Sequence, residues 1–526
     1  MTSPDPPAAL PALPALRSAL AVGFGLAAVK LTLHLWLIER YGYHRDELYF
    51  IECGKRIAFG YVDHAPFVPW VAAAAGWFDH HLIALRLPSV LAGAVSILLT
   101  VLLARALGGG VLAQLIAGLS VLSAPAFLRM SKILCIPVFE PLYWTGSALV
   151  LTRMLHGGSP KLWIAIGAIA GLGLLTKHSM LFWALGLAVG VVLTPSLRSS
   201  LRTPWPWLGA LVALGLFAPN LVWQAQNDWA TLQFLREISR GMLAEIPRAL
   251  YAGGQVLYMN PLTLPVWLGG LWFLLSEAGR RYRLFGWLFL SVFLVQIGMQ
   301  SKPYYLAPAY PPLFAAGGLL VERLSGRKLW FARAAVAELG AAVIVGALLS
   351  LPVLSLERTD RILARAVGWA VPPIALTHDL HDEYGWREQA QAIARVRDTA
   401  LVPDERSRTI VLTGNYGEAS AVEFFGPGLE LPPAASGHMN YYLWNLPVAD
   451  PAAVIAYGLP DKTLHGIFEE VVLVGQIDHP LAHPKERLLP VYRCRRPRRP
   501  LREVWPSLRR YGTPSHRKMV DPPRSG

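Results

Sequence analysis

Apolar windows of about 17 to 22 residues recur along the first two thirds of this 526-residue chain. A helix of about 20 apolar residues crosses the roughly 30 Å of hydrocarbon in a bilayer, so each window has the length of a membrane span. The chain is 54% hydrophobic and 16% charged, with a mean hydropathy of +0.40, which agrees with a membrane protein. We predict about eleven transmembrane helices. They lie at residues 17–38, 83–104, 111–127, 136–152, 162–176, 179–194, 206–223, 260–276, 284–300, 304–321 and 334–354.

Loop charges predict the orientation of these helices. The first apolar run lacks the short apolar core and cleavage site of a signal peptide, so we expect it to remain as the first helix. Lys and Arg are most frequent in every second loop, at residues 153–161, 198–202, 280–283 and 323–333. By the positive-inside rule those loops are cytoplasmic. The first outer loop, 39–82, and the chain from 356 onward then lie on the outer side of the membrane.

Residues 356–526 differ in character from the transmembrane domain predicted for residues 1–355. Short apolar runs such as TIVLT (409–413) and VVLVG (471–475) are typical of buried strands, so we predict a small soluble α/β domain. From Lys485 onward the chain carries 13 Lys and Arg against three acidic residues. A basic segment beside a membrane favours anionic lipid headgroups or solvent over nucleic acid.

The first outer loop concentrates ionisable residues in RYGYHRDELYFIECGKRIAFGYVDHAPFVPW, residues 40–70. Asp46 and Glu47 follow the first span, and Asp63 and His64 come after a segment that suits an interfacial amphipathic helix. Charged groups at the edge of a span are expensive unless they face water, a partner or a substrate. The alternative is structural: Asp46 caps the helix, and the other acids pair with neighbouring basic residues on a wet rim.

Further charged residues lie near the same predicted face. Glu140 is about one turn inside the fourth span, and Lys177 and Lys302 lie at the ends of other spans. Lysine binds phosphate as a compact charge, and a carboxylate can remove a proton from a hydroxyl acceptor. Acids, lysines and tyrosines on one membrane face therefore indicate a site for an anionic, membrane-embedded substrate.

These motifs resemble those of the GT-C glycosyltransferases that use polyprenyl-phosphate sugars. That group includes protein O-mannosyltransferases, aminoarabinose transferases of lipid A and galacturonosyltransferases. RDELYF is similar to the first-loop acidic motif, which makes Asp46 the catalytic base and Glu47 its neighbour. GYVDHAPFVPW is similar to the second element of that loop. VFEPLYW is similar to a later motif that normally has Asp where this chain has Glu140.

The resemblance also implies the donor site and the reaction. GLLTKHS and KPYYLAPAYP are similar to segments that face the carrier phosphate. The implied donor-binding residues are Asp63, His64, Glu140, Lys177, Lys302, Tyr304 and Tyr305. An acceptor hydroxyl would attack the anomeric carbon of a polyprenyl-phosphate sugar, with Asp46 taking the proton and a lysine stabilising the departing phosphate. The implied acceptor is an envelope glycolipid, glycan or protein at the bacterial inner (plasma) membrane.

No cofactor is required by this chemistry, and the sequence contains neither nucleotide-binding pattern, GxxxxGK[ST] or strand-borne GxGxxG. A divalent metal is an open alternative, because the first outer loop offers oxygen and imidazole ligands in Asp46, Glu47, Asp63 and His64. Their spacing does not select a metal. The three cysteines are far apart and support neither a disulfide framework nor a zinc site.

Two questions remain open from the sequence. NYGEASAVEFFG (415–426) and SGHMNYYLWN (436–445) are rich in groups that bind sugar hydroxyls or stack on sugar rings, but such residues are more often core or rim residues. The main functional alternative is a lipid or glycolipid transporter or flippase, which would more often show repeated halves and charges near mid-span. A non-catalytic lipid-binding or assembly protein explains the paired acids less well.

Overall fold

The computed structural model describes residues 15–241, 246–326, 328–368, 374–448 and 451–512. The first part of the described chain is helical. Its α-helices are α1 (Leu16–Leu37), α2 (Arg45–Lys55), α3 (Phe67–Ala75), α4 (Leu82–Ala106), α5 (Val111–Ser123), α6 (Pro125–Met130), α7 (Glu140–Leu155), α8 (Leu162–Thr176), α9 (Met180–Leu193), α10 (Pro195–Arg198), α11 (Trp205–Gln226), α12 (Ala230–Arg240), α13 (Arg248–Tyr258), α14 (Leu264–Leu275), α15 (Arg283–Gly298), α16 (Pro311–Ser325) and α17 (Leu329–Ser350).

Each predicted apolar window overlaps at least one helix, but the number of full-length spans differs from the prediction. By length and composition, four helices among the described residues can cross a membrane: α1, α4, α11 and α17. The number rises to six if two bent pairs, Met180–Leu193 with Pro195–Arg202 and Pro261–Leu275 with Glu277–Gly298, each count as one span. The predicted count of eleven is therefore not confirmed. Proline is one physical reason for the difference. Within the 111–127 window, helix α5 ends at Ser123 and helix α6 begins at Pro125.

Close helix packing depends on small residues in this bundle. Helix α8 approaches α11 where Gly167 faces the Gly209 backbone, and a Cβ added to Gly167 would overlap that backbone. Gly270 of α14 likewise faces the Leu313 carbonyl of α16. Small residues let helix backbones approach closely in membranes, where packing rather than the hydrophobic effect drives association.

Two buried basic side chains of α1 contact backbone carbonyls of α6, where the 111–127 window is broken. Lys30 Nζ donates to the Phe127 carbonyl at 3.0 Å, and His34 Nε2 lies 3.1 Å from the Leu128 carbonyl. Helix α6 is six residues long, so carbonyls near its end lack the backbone donors of a following turn. The Phe127 carbonyl also accepts the Ser131 hydroxyl at 2.8 Å, and Lys30 and His34 add further side-chain partners in the bundle interior.

The small sheet domain predicted for the C-terminal part is present. Its strands are β1 (Thr409–Thr413), β2 (Ala434–Ser436), β3 (Ala453–Tyr457), β4 (Phe468–Ile477) and β5 (Leu489–Pro497), in the order β2-β1-β3-β5-β4. β1 is parallel to β2 and β3, while β5 is antiparallel to β3 and β4. The predicted run TIVLT is β1, and VVLVG lies within β4.

Helices surround the sheet and connect it to the bundle. They are α18 (Leu356–Val367), α19 (Ile374–His381), α20 (Trp386–Ala400), α21 (Pro403–Arg406), α22 (Tyr416–Phe425), α23 (Asn440–Leu443), α24 (Asp461–Ile467) and α25 (Leu501–Val504). Part of the basic run pairs within the domain: Arg493 and Arg495 contact Glu470 at 3.0 and 3.3 Å. Residues 513–526 of the basic tail lie outside the described residues.

A buried ion network joins the outer loop, the bundle and the C-terminal part. Arg86 of α4 donates to Glu47 of α2 at 2.8 and 2.7 Å, and lies 3.3 Å from Glu383. Glu383 also pairs with Lys132. The side chains of Arg86, Glu47 and Glu383 are at most 1% exposed. Arg86 further donates to the Ile38 and Gly42 carbonyls at the end of the first span, each at 2.7 Å.

We expect Arg86→Met to destabilise the protein strongly. The substitution leaves two buried carboxylates without their guanidinium partner, and removing one member of a buried ion pair costs about 3–5 kcal/mol. Thermal unfolding of the detergent-purified protein should show a clearly lower midpoint. The matched control is Arg283→Met, which removes a 3.0 Å pair with the exposed Glu277 and should cost at most about 1 kcal/mol. Equal midpoints for the two variants would contradict the structural role of Arg86.

Candidate active site

The start of helix α2 places the adjacent acids Asp46 and Glu47 in different environments. The N-cap residue is His44, whose Nδ1 accepts the Asp46 backbone N–H at 3.1 Å. Glu47 completes a capping box by accepting the His44 backbone N–H at 2.8 Å. The alternative in which Asp46 caps the helix is therefore wrong. The Asp46 carboxylate is left available for other contacts.

Asp46 presents an accessible carboxylate at this helix start. Its Oδ1 accepts the Tyr416 hydroxyl at 2.6 Å, and Arg45 Nε lies 3.6 Å away. The side chain is 38% exposed. Burial of the surroundings raises the pKa of Asp46, but His44, Arg45 and the Tyr416 hydrogen bond outweigh it, so this pKa lies below its ordinary value. The carboxylate is therefore ionised at neutral pH, as a proton acceptor must be.

The Glu47 side chain, unlike that of Asp46, lies in the protein interior. Besides the two Arg86 bonds and the His44 bond, its carboxylate accepts the Leu134 backbone N–H at 2.9 Å. Burial raises the pKa of Glu47, and the Arg86 guanidinium with these hydrogen bonds outweighs burial, so the pKa falls below its ordinary value. A fully enclosed carboxylate with all these donors cannot meet a substrate without breaking the network. The geometry favours a structural role for Glu47 over the predicted role beside the catalytic base.

Asp63 and His64 lie next to the Asp46 cluster. Asp63 Oδ1 accepts the Tyr49 hydroxyl at 3.1 Å and lies 3.7 Å from His64 Nε2. Burial raises the pKa of Asp63, and the negative charge of Asp46 raises it further despite His64 and Tyr49. The environment thus pushes the pKa values of Asp46 and Asp63 in opposite directions, an arrangement that is frequent where two carboxyl groups have different chemical tasks.

A second cluster contains predicted donor-site residues. Lys177 Nζ donates to Glu140 at 2.7 Å, and Ser179 donates to the other oxygen of the same carboxylate. Lys177 also lies 4.3 Å from the centre of the Tyr305 ring. The Glu140 side chain is 4% exposed and that of Lys177 is 19% exposed, so Glu140 is the buried partner and the lysine remains accessible. Glu140, which stands where the similar motif has an aspartate, thus holds Lys177 in position.

Lys302 has a different environment. It is partly buried at the start of the 3₁₀ helix Pro303–Ala309, and no carboxylate lies within ion-pair distance of it in the described part of the chain. Its positive charge helps to lower the pKa of Asp46. Tyr304 and Tyr305 follow it, with ring centres 4.8 Å apart. Lys302 therefore offers an uncommitted cation near the Asp46 carboxylate.

Several contacts place these clusters on one face of the bundle. Burial raises the pKa of the Cys135 thiol, and the nearby charge of Lys177 lowers this pKa while that of Asp46 raises it. His178, next to Lys177, lies 3.3 Å from Asn220 Oδ1, while Asn220 Nδ2 donates to the Phe59 carbonyl at 2.7 Å. The first outer loop and the 177–179 segment therefore lie close together, and Lys177 lies over the Tyr305 ring of the 302–305 segment.

The four side chains that the sequence offered as possible metal ligands do not form one set. Glu47 is enclosed by Arg86, while Asp46 contacts Tyr416 and Asp63 contacts Tyr49. Over residues 15–241, 246–326, 328–368, 374–448 and 451–512, no group of three or more His, Cys, Asp or Glu side chains is arranged to hold a metal ion.

The two C-terminal segments suspected of sugar binding instead contact helix α2 and the loop after it. Asn440 Oδ1 accepts the Val62 backbone N–H at 2.9 Å, and the Arg56 guanidinium lies 4.4 Å from the Trp444 ring centre. Tyr416 reaches Asp46 itself. The sequence drew attention to these segments through their polar and aromatic content, but it contained no signal that Tyr416 or Tyr49 would touch the two aspartates.

This chain shares sequence features and a fold with known proteins. Residues 63–223 match the family model described as dolichyl-phosphate-mannose-protein mannosyltransferase. Among curated protein sequences, none matches this chain. The crystal structure of ArnT from Cupriavidus metallidurans in the apo state aligns with a TM-score of 0.61 at 17% identity, over 91% of this chain and 98% of ArnT. The ArnT structure bound to undecaprenyl phosphate aligns with a TM-score of 0.55 at 16% identity, over the same shares.

These TM-scores show a shared fold, and the family model adds a sequence match over residues 63–223. Asp46 lies before the matched segment, while Asp63, Glu140 and Lys177 lie within it. The resemblance to the GT-C glycosyltransferases is thereby confirmed, by the mannosyltransferase family model over residues 63–223 and by the ArnT fold over most of the chain.

Proposed function

We propose that this protein is a membrane glycosyltransferase that moves a sugar from a polyprenyl-phosphate donor to an acceptor hydroxyl. The observation that carries the proposal is the accessible, ionised Asp46 carboxylate on the same face as Lys302 and Lys177. Undecaprenyl phosphate is bound in one of the ArnT structures that share this fold, and a phosphate of that kind suits lysines at a membrane edge. We place this face on the periplasmic side of a bacterial inner membrane, with an envelope glycolipid, glycan or protein as acceptor.

The proposed reaction is a single displacement that uses Asp46 on the acceptor side and Lys302 and Lys177 on the donor side. The acceptor hydroxyl donates its proton to Asp46 while its oxygen attacks the anomeric carbon of the sugar. The bond between that carbon and the phosphate oxygen breaks, and the electron pair leaves with the polyprenyl phosphate. Lys302 and Lys177 stabilise the additional negative charge on the phosphate. The proton acceptor and both cations are side chains of this chain, so the proposal needs no cofactor.

We expect Asp46→Asn to lower the rate of sugar transfer by a factor on the order of 10²–10⁴. Asparagine keeps the shape of the side chain and removes the proton acceptor. Purified protein would be incubated with undecaprenyl-phosphate-linked mannose, aminoarabinose and galacturonic acid and with bacterial envelope extract. Labelled sugar on acceptors and released undecaprenyl phosphate would both be measured. A flippase, the alternative function, would leave every donor uncleaved.

The control for this experiment is Asp79→Asn in the same outer loop. Asp79 is exposed and has φ of 51°, a conformation that Asn also adopts readily. This variant should transfer sugar at the wild-type rate. Near-normal transfer by a well-expressed Asp46→Asn protein would overturn the assignment of Asp46 as the base.

We expect the two lysines to behave differently on substitution. Lys302→Ala should raise the donor KM about tenfold with an unchanged unfolding midpoint, because no ion pair is broken. Lys177→Ala should weaken donor binding and also lower the midpoint, because it leaves the buried Glu140 unpaired. Donor KM and thermal unfolding would be measured for both variants.

A double variant separates the two effects of Lys177. Lys177→Met with Glu140→Gln removes both charges, so it should recover much of the lost stability and none of the donor binding. If donor KM stays at the wild-type value in both Lys302→Ala and Lys177→Ala, the phosphate-binding assignment is wrong.

The orientation of the site can be tested independently. A reporter that is active only in the periplasm should be active when fused after Leu356 and inactive when fused after Arg202. A cytoplasmic reporter should give the opposite pattern at the same two positions. The reverse result with both reporters would place the first outer loop in the cytoplasm and contradict the proposed orientation.

A further inference from the structure

Tyr416 is the residue of the C-terminal domain that reaches the Asp46 carboxylate. It lies 370 positions further along the chain, at the first residue of α22. The preceding Asn415 is the N-cap of this helix and accepts the Gly417 and Glu418 backbone N–H groups at 2.8 and 3.1 Å. The backbone that carries Tyr416 is therefore held by a well-formed helix cap.

The Tyr416 ring is enclosed on several sides. Its centre lies 4.6 Å from that of Tyr49, 5.3 Å from that of His438 and 5.5 Å from the Arg45 guanidinium carbon. The hydroxyl extends from this packing to Asp46 Oδ1 at 2.6 Å. Burial raises the pKa of Tyr416 well above its ordinary range, with the charge of Asp46 raising it further, so the hydroxyl stays protonated and donates.

One carboxylate oxygen is occupied by this contact and the other is not. In the described part of the chain, the Tyr416 hydroxyl is the side-chain donor that bonds to the Asp46 carboxylate, at Oδ1. The Asp46 side chain, which carries Oδ2, is 38% exposed as a whole. A hydrogen bond at one oxygen restricts the rotation of the carboxylate about its last bond, and Oδ2 has no hydrogen-bond donor among the described residues.

We propose that Tyr416 is a positioning residue, through which the C-terminal domain completes the active site by orienting the Asp46 carboxylate toward the acceptor hydroxyl. This inference rests on the proposed role of Asp46 as general base. It makes proton removal dependent on docking of the C-terminal domain against helix α2. A carboxylate that rotates freely would spend less time with Oδ2 in line with the acceptor, and so would react more slowly.

The test is Tyr416→Phe, which removes the hydroxyl and keeps the packed ring. The matched control is Tyr441→Phe in the same domain: the Tyr441 ring also packs on Tyr49, at 6.5 Å, but its hydroxyl lies 3.2 Å from Ser420 and does not contact Asp46. Thermal unfolding should give similar midpoints for both variants. For sugar transfer, we expect Tyr416→Phe to lower kcat about tenfold with donor KM unchanged, and Tyr441→Phe to change neither.

A second measurement does not depend on activity. A water-soluble carbodiimide modifies protonated carboxyl groups, so at pH 5 the rate of labelling of Asp46 follows the small protonated fraction. The Tyr416 hydroxyl stabilises the ionised form and lowers the pKa of Asp46. Its removal raises that pKa, so labelling of Asp46, measured by peptide mass spectrometry, should be several-fold faster in Tyr416→Phe and unchanged in Tyr441→Phe.

The outcomes distinguish this inference from the proposed function. An unchanged labelling rate and kcat in Tyr416→Phe would overturn the positioning role while leaving Asp46→Asn as the test of the base. Equal losses of kcat in Tyr416→Phe and Tyr441→Phe, with no change in labelling, would also overturn it, because the effect would then be general to the domain. Faster labelling with reduced kcat in Tyr416→Phe alone would support it.

Discussion

The buried pairing of Arg86 with Glu47 is the interaction on which the arrangement of the outer face depends. Arg86 comes from a long apolar helix, Glu47 from helix α2, in which Glu47–Gly54 are all buried, and Glu383 from the C-terminal part. Charges in such an interior are tolerated only with complete pairing, and each of these carboxylates has a cationic partner. The network therefore fixes where helix α2 lies, and with it the position of Asp46.

Two adjacent acids acquire different roles because of helix geometry. Successive residues of an α-helix point about 100° apart, so Asp46 and Glu47 cannot face the same environment. His44 caps the helix and Glu47 closes the capping box from the interior side. Asp46 is turned toward the seam with the C-terminal domain, where it meets Tyr416 and remains accessible. Glu47 holds the loop in place, and Asp46 keeps an accessible carboxylate, as the proposed general base requires.

The lysines show the same division between anchored and available groups. Lys177 is held by the buried Glu140 and lies over the Tyr305 ring, so its position is defined but its charge is partly balanced. Lys302 keeps its charge near Asp46 without an ion-pair partner among the described residues. The proposed phosphate site would benefit from both, since one cation is oriented and the other can respond to charge that develops in the proposed reaction.

The sequence by itself determined the elements, because hydropathy and turn preferences are local properties of the chain. The window 83–104 became Leu82–Ala106, and the run 409–413 became strand β1 without a shift. It also placed Asp46, Lys177 and Lys302 on one face, since that follows from where each lies relative to a span. Only the tertiary structure decided which charges pair. Whether Glu47 meets Arg86, Glu140 meets Lys177, or Tyr416 meets Asp46 depends on contacts between segments as far as 370 residues apart, which no local pattern encodes.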